Sequence, residues 1–198
     1  MKIFFATSNQ NKINEANIML SKLGHSVQGL RINGKLPNIT EPQSSELKEV
    51  AFSKLKQVRS LIDGTELEDC AVMVEDSGLF INQFPGFPGV FSSFVYKSIG
   101  LNGILKLLGK STDRKAEYRA VTILQWKNEI WESLGICEGT ISIEKLGEGG
   151  FGYDPIFIPL QGDGLTFSQM SSEQKSLISH RTFSLKGLLD SLNFRQSE

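Results

Sequence analysis

Short apolar runs alternate with polar loops along this chain, and the spacing within each run predicts an element. Residues 3–7 (Ile-Phe-Phe-Ala-Thr) are a continuous run of strand length, as expected of a strand covered on both faces. Polar Ser8-Asn9-Gln10-Asn11 follows. Ile13, Ala16, Met19, Leu20 and Leu23 then recur at helical spacing up to Gly24, a residue suited to ending a helix. Residues 27–32 read as extended. Beyond Pro37 and Pro42, Leu47, Val50, Ala51, Leu55, Val58 and Ile62 mark a long amphipathic helix, with Ser45 as its expected cap.

Residues 71–74 predict another buried strand, ending in an acidic corner, Glu75-Asp76-Ser77-Gly78, where the glycine is expected to let the chain turn sharply. A short extended run at 79–81 follows. Phe84-Pro85-Gly86-Phe87-Pro88-Gly89 is incompatible with regular structure, and residues 99–108 read as a helix. From 116 to 126 strict alternation sets Tyr118, Ala120, Thr122, Leu124 and Trp126 on one face of a strand. Lys127-Asn128 predicts a hairpin tip, and the return strand runs from Ile130 to about Ile143, with bulges expected at Gly135 and Gly139. A glycine-rich loop at 147–152, a strand at 156–158, a helix capped at Ser171-Ser172-Glu173-Gln174 and a last helix carrying Phe183, Leu188, Leu189 and Leu192 complete the chain. Strand–loop–helix order with a long antiparallel excursion predicts one α/β domain over residues 1–198.

Charge narrows the function. The 21 Lys and Arg against 22 Asp and Glu leave a net charge of −1, so no global positive field draws nucleic acid or an anionic membrane. An anion must be captured locally. Two cysteines, Cys70 and Cys137, fit neither a disulfide framework nor a zinc site, which favours a reducing cytoplasm. The apolar start is cut short by Thr7-Ser8-Asn9, unlike a signal peptide, and nothing approaches the ~18 unbroken apolar residues of a membrane span.

Four segments carry candidate chemistry. Thr7-Ser8-Asn9-Gln10-Asn11-Lys12 joins a strand to a helix N-terminus, where backbone N–H groups, polar side chains and one cation together suit a polyphosphate; the alternative is an ordinary capped helix with a solvated lysine. Glu75-Asp76-Ser77-Gly78 offers hard oxygen ligands for Mg²⁺, or a plain solvated turn. In Gly149-Gly150-Phe151-Gly152-Tyr153-Asp154-Pro155 the flanking glycines leave Phe151 free to stack on a flat base, with Asp154 placed to accept from a ring N–H; the alternative tucks Phe151 into the core. Ser179-His180-Arg181, with Lys175 before it, groups donors suited to a carbonyl or phosphate oxygen, or forms a surface patch.

Taken together, Thr7-x-Asn9-x-x-Lys12, Glu75-Asp76-Ser77-Gly78-Leu79, Pro88-Gly89, Phe151-Gly152-Tyr153-Asp154-Pro155 and Ser179-His180-Arg181 resemble, in order and spacing, the inosine triphosphate pyrophosphatases, also called Ham1-like. The resemblance implies an elongated α/β fold with a long mixed sheet flanked by helices, two lobes with the active-site cleft between them, a homodimer, and Mg²⁺-dependent hydrolysis of inosine, deoxyinosine and xanthosine triphosphates to monophosphate and pyrophosphate. It implies that Thr7, Ser8, Asn9, Gln10, Asn11 and Lys12 form the triphosphate loop, and that Asp76 is metal ligand and proton acceptor, with Lys12 assisting catalysis. Ser77, Lys54, Phe151, Gly152, Tyr153, Asp154, Lys175, His180 and Arg181 are implied substrate contacts. Glu15 resembles an acidic residue that helps hold metal. Many relatives carry an acidic ligand after the Leu36-Pro37 position, where this chain has Asn38 and reaches acid at Glu41. Where many bacterial relatives continue with Ala-Arg, this chain has Ser93-Phe94, which resembles archaeal members, and Lys97 is the candidate substitute for the basic contact of that loop.

Two other readings are kept. A Maf-type pyrophosphatase would start with Ser-x-Ser-Pro-Arg-Arg, which residues 7–12 lack. A non-catalytic nucleotide-binding module would need the phosphate loop but not Asp76.

Overall fold

The computed structural model describes residues 1–196. Strands β1 (Lys2–Phe5), β2 (Ser26–Gly29), β3 (Ala71–Ile81), β4 (Lys115–Trp126), β5 (Glu129–Ile141) and β6 (Phe157–Pro159) form one sheet in the order β2-β1-β3-β4-β5-β6. Pairing of β1 with β2 and β3 is parallel, and β5 with β6 antiparallel, so the sheet is mixed. The helices are α1 (Gln10–Leu20), α2 (Leu47–Ile62), α3 (Ser92–Leu108), α4 (Ser172–Ile178) and α5 (His180–Gln196). Among the described residues no helix is long and apolar enough to cross a membrane.

The chain divides into two compact units. The first comprises residues 1–76, 120–135 and the chain from Arg181 onward. Its core packs Ile3, Phe5, Ala71 and Met73 of the parallel strands against Ile13, Ala16 and Leu20 of α1 and Leu185, Leu188 and Leu189 of α5. The alternate residues Phe4, Val72 and Val74 are buried as well, which is why the strand sequences are apolar without alternation. The helix α1 periodicity ends in a 3-10 turn closed by Gly24 at φ 77°, the stop expected from the sequence.

The second unit comprises residues 77–119 and 136–180. Its interior is aromatic: Tyr118 packs on Phe157 and Phe167, with ring centroids 4.8 and 6.1 Å away.

Several expectations are corrected. Residues 75–78 form no turn; they lie inside β3, which continues to Ile81. Gly78 is needed for a different reason, because a Cβ there would sit 2.1 Å from the carbonyl oxygen of Gly89. Gly139 is likewise no bulge but stands in register opposite Pro159, where a Cβ would meet the Ile158 carbonyl oxygen at 2.4 Å. Ser45 does not cap α2; Glu46 holds the cap position without a side-chain bond, while the Ser44 hydroxyl accepts from the Glu46 amide and donates to Glu49. Helix α3 starts at Ser92, seven residues ahead of the expected 99, and breaks at Gly100 (φ 61°, ψ −168°). Its first half is hidden from a periodicity argument because Phe94 and Tyr96 face solvent.

Candidate functional site

In the first unit, the loop after β1 is organised by its own side chains. Asn9 caps α1, its Oδ1 accepting from the amides of Asn11 (3.0 Å) and Lys12 (3.4 Å), and the Thr7 hydroxyl accepts from the Asn9 amide (3.1 Å). Gln10 donates to Asn14, and Ser8, Gln10 and Asn11 are exposed. The capped helix start is therefore realised, but the lysine is not solvated. Lys12 turns inward, its Nζ 3.3 Å from Glu75 Oε1. Burial pulls the Lys12 ammonium below the usual lysine range, with the carboxylate of Glu75 opposing that shift.

Successive strand residues face opposite sides of a sheet, and both carboxylates of the Glu75-Asp76 pair are buried, at 4% and 6% exposure. Glu75 receives Arg181 at both oxygens, from Nε and Nη2, each at 2.7 Å. The third edge of the guanidinium, Nη1, pairs with Glu15. Asp76 accepts from Lys54 at Oδ1 (2.6 Å), whereas its Oδ2 is buried with no hydrogen-bond partner among the described residues. Burial pushes the Asp76 carboxyl above its ordinary value against the pull of Lys54 and Lys12. Lys54 also reaches Glu41 Oε1 at 2.7 Å. Burial works against the Lys54 charge, but Asp76 and Glu41 outweigh it and raise its affinity for the proton.

Three cations, Lys12, Lys54 and Arg181, thus meet four carboxylates, Glu15, Glu41, Glu75 and Asp76. With one more carboxylate than cations, the cluster by itself carries no positive surplus, so a polyphosphate bound there has to bring a cation with it. The structure does not gather Asp76, Glu15 and Glu41 into one ligand set: Glu15 lies on Arg181, Glu41 meets Lys54, and among the described residues no group of three or more His, Cys, Asp or Glu is spaced to hold a metal. Asn38 is exposed.

In the second unit, Phe151 stands between Gly150 and Gly152, both at positive φ. The loop closes on Asp154, whose Oδ2 accepts from the Phe151 amide (2.8 Å) and from Lys175 Nζ (2.7 Å). Gly150 is required here, because a Cβ would lie 2.2 Å from that same oxygen. The capping box of Ser171 and Gln174 starts α4 and presents Lys175, whose ammonium lies 4.6 Å from the Phe151 ring centroid and 5.2 Å from that of Phe167. His180 stacks on Tyr118, centroids 4.6 Å apart and planes within 10°.

The expected contacts of this segment therefore separate. Phe151 and Gly152 are half-buried, Ser77 is half-buried in β3, and Lys97 is exposed on α3. Asp154, at 2% exposure, holds the loop and Lys175, and Tyr153, at 3%, is a strut whose hydroxyl donates to the Ser92 carbonyl (2.8 Å). Burial raises the Tyr153 phenol well above its ordinary value. Arg181, assigned from sequence to a base or phosphate oxygen, has Nε, Nη1 and Nη2 on two carboxylates. Strand alternation sets Tyr118 on one face of β4, where the structure buries it, but no local pattern in the sequence ties Tyr118 or Phe167 to His180 or Lys175.

A family model described as the Ham1 family matches residues 3–191. Relatives named dITP/XTP pyrophosphatase include those of Thermococcus kodakarensis, 41% identical over 94% of both chains, and Pyrococcus horikoshii, 40% identical over 96% of both. Among solved structures, the Ham1 protein of Staphylococcus aureus is 29% identical, with a TM-score of 0.78 over 98% of this chain and 100% of that one. A HAM1 protein from Coxiella burnetii is 26% identical, with a TM-score of 0.79 over 98% of both chains.

Proposed function

The chain belongs to the Ham1 family, and we propose that it hydrolyses non-canonical purine nucleoside triphosphates, those of inosine, deoxyinosine and xanthosine, to the monophosphate and pyrophosphate. The observation that carries this reading is Asp76: a carboxylate at 6% exposure with one oxygen on Lys54 and the other buried and unpartnered. A structural carboxylate would have both oxygens satisfied, because an unmet buried acceptor costs about 1–3 kcal/mol. A non-catalytic binding module has no use for that strain.

The same oxygen is the fit for a metal. Mg²⁺ is commonly held by one or two carboxylates together with substrate phosphate oxygens, so Asp76 with a triphosphate suffices where the protein itself offers no complete cage. When bound, the ion would neutralise phosphate charge and stabilise the departing pyrophosphate. Lys12 and Lys54 would hold phosphate oxygens through charge-assisted bonds, Asp76 would take a proton from the attacking water at Oδ1 once Lys54 has turned from that oxygen to phosphate, and Glu75 and Arg181 would keep Lys12 aimed. Within the second unit, the half-buried ring of Phe151, set between two glycines, has the flat face on which a purine base stacks.

We further assign the protein to the cytoplasm and to a homodimer. The apolar side chains of Phe91 and Phe94, 55% and 68% exposed, support a partner-covered surface on the second unit.

The deciding experiment measures pyrophosphate release from inosine triphosphate with Mg²⁺. Asp76→Asn keeps the shape of the side chain and removes its charge; it should fold, by its thermal melt, and lose nearly all turnover. Turnover at the wild-type rate would end the assignment.

A further inference from the structure

Lys54 lies between two carboxylates, 2.6 Å from Asp76 Oδ1 and 2.7 Å from Glu41 Oε1, with a side chain only 12% exposed. Its two partners differ. Asp76 is enclosed, while the side chain of Glu41 is 62% exposed and marks the solvent end of the contact. Among the described residues, Lys54 is the hydrogen-bond donor to Asp76, and without it that buried carboxylate would lose its bonded cation. Lys12 also attracts the Asp76 charge, but its ammonium is at bonding distance from Glu75 and not from Asp76.

An ammonium at hydrogen-bond distance from a carboxylate oxygen neutralises the charge that a hard divalent cation would use. Two cations drawn to one enclosed carboxylate also repel each other, and weak screening there makes that repulsion strong. Lys54 has a way out, because its four-carbon stem is flexible and its second partner, Glu41, is already at the surface.

We infer that Lys54 is the resident counter-cation of Asp76 in the nucleotide-free protein, so that a divalent cation binds the free protein poorly and is admitted when a polyphosphate offers Lys54 other oxygens. The nucleotide's part in this rests on the function proposed above; the competition between Lys54 and the metal does not. The consequence is an order of events. Metal and triphosphate arrive together, and the free enzyme does not collect divalent ions on its reactive carboxylate.

Titration calorimetry with Mn²⁺ alone, on the nucleotide-free protein, reads the competition without hydrolysis. Lys54→Met should bind Mn²⁺ about tenfold or more tightly than wild type, because one opposing charge is gone. Lys54→Gln is the second variant should Lys54→Met fail to fold, and Lys54→Arg, which keeps the charge, should bind as weakly as wild type. Adding Asp76→Asn to Lys54→Met should abolish the gain. With a non-hydrolysable inosine triphosphate analogue present, wild-type affinity for Mn²⁺ should rise to that of Lys54→Met. Equal Mn²⁺ affinity in nucleotide-free wild type and in the neutral variants would overturn the inference, as would tight binding by Lys54→Arg. Loss of hydrolysis in Asp76→Asn is read separately, so a failed function and a failed competition are told apart.

Discussion

The guanidinium of Arg181 lies fork to fork on the carboxylate of Glu75, Nε on Oε2 and Nη2 on Oε1, both at 2.7 Å, across 106 residues of sequence. Both groups are buried, Arg181 at 1% and Glu75 at 4% exposure. With Glu15 on Nη1 and Lys12 on Glu75, this one contact ties the start of α5 to β3 and α1. Burial works against the Arg181 charge, yet Glu75 and Glu15 more than offset it and tighten its hold on the proton.

Removing Arg181 takes both guanidinium bonds from the buried carboxylate of Glu75, which keeps Lys12, and one from the half-buried Glu15. Arg181→Ala should therefore lower the unfolding free energy by about 3–5 kcal/mol. Arg181→Lys should recover only part of it, because a single ammonium cannot span both oxygens of Glu75 and reach Glu15. Urea denaturation of the three proteins measures this, and a loss below about 1 kcal/mol in Arg181→Ala would mean that the pair is no more than a screened surface bridge.

Two glycines separate steric need from conformational need. At Gly78 a Cβ would lie 2.1 Å from the Gly89 carbonyl oxygen and 3.0 Å from Ser92 Oγ, which itself donates to that oxygen and accepts from the Leu79 amide. Gly78→Ala should cost about 3 kcal/mol or more, since backbone must move to make room. Gly24 has φ 77° and nothing within 4 Å, so Gly24→Ala should cost only about 1–2 kcal/mol for the left-handed conformation. Equal losses in the two variants, read from the same denaturation curves, would refute the contact reading.

Burial pushes the Cys137 thiol up to about 12, with Lys175 opposing and Glu138 adding to the shift. In the folded protein Cys137 keeps its proton where the unfolded chain, from about pH 9 upward, has lost it. The unfolded state then binds fewer protons, so stability falls with rising pH, by about 1.4 kcal/mol per pH unit from this group between roughly 9 and 12. Cys137→Ala should flatten that alkaline slope. At pH 8 a thiol reagent should label Cys70, half-buried, well before Cys137 at 4% exposure. Equal labelling rates without denaturant would contradict this placement.

Elements whose burial is set by their own neighbours were legible in the chain. The apolar run at the start of β1, the 3.6-residue period of α1 and α2, the alternation of β4 and the capping box at Ser171 each encode a local relation between backbone and solvent, and each is present. Within the ordered motifs, Asn9 and Asp154 hold their own loops, because loop and cap residues serve backbone groups close by in sequence.

Which charges meet was decided only by the tertiary structure. Glu75 and Asp76 are adjacent in sequence and both carboxylates, yet one is saturated by Arg181 and Lys12 while the other keeps an unmet oxygen beside Lys54. Those partners lie on α1, α2 and α5, and no period in the sequence carries the distance between them. Gly78 reads as a turn residue until the Gly89 carbonyl is seen against it, and Tyr118 as an ordinary sheet residue until His180 is stacked on it. Local patterns report the side of an element that is hidden from water; the identity of what lies on that side depends on chain segments that folding brings from up to 166 residues away, as with Glu15 and Arg181.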